Sequence, residues 1–79
     1  MRNILIRRIN HECYEVIVTK KEVTKHIVHV SDSVHNHFTE GKMTKEQFVK
    51  KAFLFLLQRE QNTSILKEFQ IEMIAKFFP

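Results

Sequence analysis

The chain changes its hydrophobic period near Ser31. Before that point β-branched residues alternate with polar ones, the period-2 signature of strands. After it apolar residues recur at helical spacing. Three strands are expected, over 4–9, 14–19 and 23–30. In the first, Ile4 and Ile6 fall on one face and Leu5 and Arg7 on the other. In the second, Tyr14, Val16 and Val18 oppose Glu15, Ile17 and Thr19. In the third, His26, Val28 and Val30 alternate with Lys25, Ile27 and His29. The polar stretches Asn10-His11-Glu12-Cys13 and Lys20-Lys21-Glu22 read as turns, so the strands form an antiparallel meander with one buried face. Leu5, Ile17 and Ile27 then lie on the outer face, as a modest apolar stripe or beneath a second chain.

In the second half, Ser31 and Asp32 offer a helix cap for a short helix over 32–40, with Gly41 as its left-handed stop. Thr44 followed by Gln47 is a capping box that opens the main helix, over 45–60. From Ala52 onward this helix is apolar nearly all round, so it must be covered on more than one side. Gln61 to Ser64 breaks the pattern. Asn62 or Ser64 can cap a further short helix holding Ile65, Leu66 and Phe69, and a last helix carries Ile71, Ile74, Phe77 and Phe78. The expected fold class is α+β: a three-stranded antiparallel β-meander over 1–30, followed over 31–79 by three to four helices packed on one sheet face. The chain has 79 residues, so 1–79 is read as a single domain.

Composition narrows the class. A domain this short buries only roughly 60% of the surface its unfolded chain exposes, so its core is thin. Glycine and proline occur once each, as Gly41 and Pro79, which agrees with long elements and short loops. The lone thiol, Cys13, excludes an intrachain disulfide framework. The longest apolar run, Ala52 to Leu57, is too short to span a bilayer, and the apolar start is too short for a signal-peptide core. A cytoplasmic location without membrane contact is therefore expected. The net charge of +4 concentrates in the first third, where Arg2, Arg7, Arg8, Lys20, Lys21 and Lys25 face only Glu12, Glu15 and Glu22. That imbalance points weakly to an anionic partner.

The segments Gly41-Lys-Met-Thr-Lys-Glu-Gln-Phe-Val, Phe53-Leu-Phe-Leu-Leu-Gln-Arg-Glu60, Asn62-Thr-Ser-Ile-Leu66 and Ile74-Ala-Lys-Phe-Phe-Pro79 together resemble a family of small uncharacterised bacterial proteins. The resemblance implies a strand-rich start followed by this helical half. Its motifs are capping and packing motifs, so it implies no activity, cofactor or partner. Gln70 stands where such relatives carry a helix-capping acid.

Several residue sets bear on possible chemistry. His35 and His37 point roughly 200° apart on a helix, and His26 and His29 fall on opposite faces of a strand, so neither pair has ligand spacing within its own element. Cross-element sets such as His29 with His11 and Cys13 remain; scattered surface histidines are the plainer reading. Cys13 has His11 beside it but no orienting acid or oxyanion hole, and reads as a small residue in a turn. The carboxylates decorate a hairpin and helix surfaces, as with the i,i+4 pair Glu46 and Lys50. One glycine excludes a glycine-rich phosphate loop.

The sequence thus predicts a non-enzymatic protein-interaction or assembly module that self-associates as a homodimer or meets another protein, with no cofactor and no small-molecule substrate. Leu5, Ile17, Ile27, Phe55, Phe77 and Phe78 are the candidate interface residues, since exposed apolar patches usually mark partner surfaces. The alternative is a nucleic-acid-binding protein that uses a basic β-hairpin with Arg7, Arg8, Lys20, Lys21 and Lys25.

Overall fold

A computed structural model describes residues 3–76. Their order is β1 (Asn3–Asn10), β2 (Cys13–Thr19), β3 (Val23–His29), α1 (Asp32–Thr39), α2 (Lys45–Leu57), a 3₁₀ turn (Asn62–Ser64), β4 (Glu68–Gln70) and α3 (Glu72–Ala75). The fold is α+β, as the change of period predicts. β1, β2 and β3 form the antiparallel meander, with Leu5 opposite Ile17, Arg7 opposite Glu15, and Glu15 opposite Ile27.

The sheet has a fourth strand, which corrects the expectation of three. β4 runs parallel to β3 in a sheet of order β1-β2-β3-β4. The segment expected to be a short helix around Ile65, Leu66 and Phe69 instead lies along the β3 edge. The Ile27 amide donates to the Lys67 carbonyl at 2.7 Å, and the Ile71 amide donates to the His29 carbonyl at 3.0 Å. Pairing there satisfies backbone groups that the edge of a buried β3 would otherwise leave open. Phe69 points inward between exposed Glu68 and Gln70, an alternation of three residues and too short to register as a period.

The helices stop and start at identifiable groups. The Ser31 hydroxyl accepts from the Val34 amide at 3.2 Å. The Thr44–Gln47 capping box is complete: the Gln47 amide donates to Thr44 Oγ1 at 3.1 Å and the Thr44 amide to Gln47 Oε1 at 2.9 Å. α1 ends one residue before its expected stop, because Glu40 (φ 54°) takes the left-handed position and its amide donates to the Asn36 carbonyl. Gly41, at φ 76°, follows in the same region of backbone space.

One face of the sheet carries the core. Tyr14, Val16, Val18, Val28 and Val30 are buried there against Phe48, Val49, Ala52 and Phe53 of α2. Each valine and phenylalanine among them contributes about 1.5–3 kcal/mol by leaving water. Leu56 and Leu57 carry the core to the end of α2, and Ile65, Phe69, Ile71 and Ala75 extend it beyond. α2 is therefore covered by the sheet and by the chain that follows it, as its apolar circumference requires. No described helix is long and apolar enough to cross a membrane.

Candidate interaction surface

The opposite face of the sheet bears no helix among the described residues. Its residues are the alternate set: Leu5 and Arg7 on β1, Cys13, Glu15, Ile17 and Thr19 on β2, Val23, Lys25, Ile27 and His29 on β3, and Glu68 and Gln70 on β4. Leu5 is 63% exposed and Val23 67% exposed, while Ile17 and Ile27 are half-buried by their neighbours. Leu5 and Ile17 sit directly opposite each other, and with Asn3, Ile4 and Thr19 they line a shallow hollow at the β1 edge. Ile27 stands apart from that pair, with Glu15 opposite it on one side and Glu68 on the other. Sequence reasoning did not single out Val23, though its place in the alternation with Lys25 and Ile27 carried the signal.

The middle of this face is an ion-paired patch. Glu15 is nearly buried although it faces away from the core, because Arg7 Nη2 lies 3.1 Å from Glu15 Oε1 and Lys25 Nζ lies 3.7 Å from Oε2. Two cations on adjacent strands thus close over one carboxylate. At the far end His29 Nε2 donates to Glu68 Oε2 at 2.6 Å. Cys13 is the cross-strand partner of His29. Burial, and secondarily the Glu68 carboxylate, push the Cys13 thiol up from its ordinary value, which disfavours the thiolate a nucleophile needs. Glu12, His29, Val30, Ser31, Gln70 and Glu72 line a polar cleft of about 340 Å³ beside this end.

The basic residues singled out in the sequence do not form one surface. Arg7 and Lys25 are committed to Glu15. Arg8 is exposed opposite Tyr14, on the core side of the sheet edge. Lys20 and Lys21 occupy the turn between β2 and β3 at the other end of the strands. From Tyr14 to Lys20 is roughly 20 Å at strand rise. Arg2 lies outside the described residues, as do Phe77 and Phe78 of the expected interface. Phe55 is half-buried on α2, away from the bare sheet face, with the Arg59 guanidinium 4.1 Å from its ring centre.

The histidines divide between structural roles. His26 is 1% exposed and is no surface residue. Its Nδ1 donates to the Leu66 carbonyl at 2.7 Å, which leaves Nε2 to accept from Thr24 Oγ1 at 2.9 Å. Asn62 Nδ2 donates to the same Thr24 oxygen at 3.0 Å and to the Glu22 carbonyl at 2.9 Å. His35 Nε2 donates to the Met43 carbonyl at 2.6 Å. His11 sits 2.8 Å from Asp32 Oδ1, which also takes the buried Lys45 ammonium at 2.7 Å. No group of three or more His, Cys, Asp or Glu among the described residues is arranged to hold a metal ion.

No family model, no curated protein and no solved structure matches the chain. Its functional reading therefore rests on the geometry of this face and edge.

Proposed function

We propose that this chain is a non-enzymatic assembly module that associates with a second copy of itself through the uncovered side of its sheet. The supporting observation is the asymmetry of that sheet. One face is sealed by α2 and the segments after it, while the other exposes Leu5 and Val23 around half-buried Ile17. A thin core gains more from covering such a surface than a larger domain would, and pairing is the common way small domains obtain it. On this face Arg7 and Lys25 are matched in number by Glu15 and Glu68, so a second chain meets little net repulsion there.

Light scattering at increasing ionic strength, alongside fluorescence anisotropy with random DNA and RNA, tests this reading. Apolar association persists as salt screens charge. A mass twice that of the monomer at high salt, without salt-sensitive nucleic-acid binding, is the expected result. Binding of DNA or RNA that weakens steeply with salt, by a chain that stays monomeric, replaces it with the nucleic-acid reading.

A further inference from the structure

β4 pairs only with the end of β3, from Ile27 to His29. The first half of β3 has β2 on one side and, on the other, the strap of residues 62–67 that leads into β4. Which backbone groups face that strap follows from the ladder. The Val30 amide donates to the Glu12 carbonyl, whereas the Ile27 amide donates to the Lys67 carbonyl. Bonded and non-bonded pairs alternate along an antiparallel ladder, so the even-numbered residues of β3 bond to β2 and the odd-numbered ones turn outward. The amides of Val23 and Lys25 therefore point toward the strap, and neither has a hydrogen-bond partner among the described residues.

Side chains, in place of a backbone ladder, hold the strap against this half of β3. His26 Nδ1 donates to the Leu66 carbonyl at 2.7 Å, and Asn62 Nδ2 donates to the Glu22 carbonyl at 2.9 Å. Beside these ties lies a groove of about 380 Å³, lined by Thr24, Lys25, His26, Asn62, Thr63 and Lys67. Val23 and Ile65 complete it with apolar surface. Its size is at the lower end of the range of small-molecule sites. Because both walls are tied in place, a ligand there has little ordering cost to overcome.

The fixed charges that line the groove have one sign. Lys25 and Lys67 both belong to it, and no carboxylate does. Lys67 makes no ion pair among the described residues. Lys25 lies 3.7 Å from Glu15, and Arg7 lies nearer to that carboxylate at 3.1 Å, so Glu15 keeps a cation when Lys25 turns to the groove. Two ammonium groups together with outward-facing amides suit an anion of more than one charge. A phosphate monoester carries about 1.5–2 negative charges at neutral pH and three acceptor oxygens, where a carboxylate carries one charge and two.

We propose that this groove binds the phosphate group of a small phosphate monoester, with the ligand's organic body against Val23 and Ile65. The proposal stands apart from self-association and adds a ligand to the molecule.

Titration of the isotope-labelled natural chain with phenyl phosphate, followed through its amide chemical shifts at fixed ionic strength, tests this. Saturable shifts centred on the Val23 and Lys25 amides are the expected result. Benzoate, with the same ring and a single charge, is expected to bind about tenfold more weakly. Lys25→Gln and Lys67→Gln each lower the phenyl phosphate affinity by about tenfold. Lys50→Gln removes the same charge from the exposed side of α2 and leaves the affinity unchanged. All three lysines are exposed, so each variant keeps its fold, as its amide spectrum will report. Shifts that do not saturate, an equal response at Arg8, Lys20 and Lys21, or an equal loss in Lys50→Gln assigns the effect to overall charge and overturns the site. Benzoate binding as tight as that of phenyl phosphate overturns the phosphate class. A short DNA strand that binds more tightly than phenyl phosphate, and weakens steeply with salt, overturns the small-ligand assignment in favour of nucleic acid. The light-scattering mass reads self-association separately.

Discussion

Asn62 ties the end of the helical half to the β2–β3 turn. It is 4% exposed, and its Nδ2 reaches the Glu22 carbonyl, Thr24 Oγ1 and, at 3.4 Å, the Val18 carbonyl. Asn62→Ala removes the donor to all three, and is expected to cost about 1–3 kcal/mol in urea unfolding. From the sequence Asn62 reads as a local helix cap. Its actual partners lie some forty positions upstream, and no local pattern encodes them. Asp32 offers a prediction with a defined sign. The Lys45 hydrogen bond first, and His11 second, hold its carboxyl down to about 2, against 3.8 for the free group. A depressed folded value means that ionisation favours the folded state. That contribution is present above pH 3.8 and is lost as the pH falls through about 2. The gap in urea midpoint between the natural chain and Asp32→Asn is therefore expected to persist at neutral pH and to close on acidification toward pH 2. A gap independent of pH would assign the difference to packing instead.

Elements were legible where their signal was local. The alternation in β1, β2 and β3 was, and so was the opening of α2, since Thr44 and Gln47 lie within one turn of each other. Thr44→Ala leaves the Gln47 amide without its acceptor and is expected to lower stability by about 1 kcal/mol, measured by urea denaturation. An unchanged midpoint would mean that water replaces the cap without loss. β4 was not legible, because three residues carry no measurable period and their strand character comes from pairing with β3. The end of α1 was misplaced for a related reason. Glycine marks where a left-handed residue is easiest, but the Asn36 carbonyl fixes the turn at Glu40. His26 shows the same limit. Its burial depends on the Leu66 carbonyl and on the Phe53 ring, 5.3 Å away between centres, and both belong to later elements.

The molecule as a whole is a sheet finished on one side and open on the other, with β1 at one edge. That Leu5, Ile17 and Ile27 share the outer face follows from alternation alone, so the open face was visible in the sequence, although Ile27 does not adjoin the other two. The meander order, with β1 at an edge, was visible as well; the place of β4 beside β3 was not, and the edge position of β1 leaves Leu5 the most accessible of the three. The basic residues show another limit of the linear sequence. Adjacent in composition, they separate in space because successive strands carry them to different ends and because Glu15 takes two of them. The central claim is that the open side joins two copies. Sedimentation velocity over a dilution series of the natural chain tests it most directly. The account predicts a sedimentation coefficient that rises with concentration from monomer to dimer and goes no further; a single monomeric species across the whole series would contradict it.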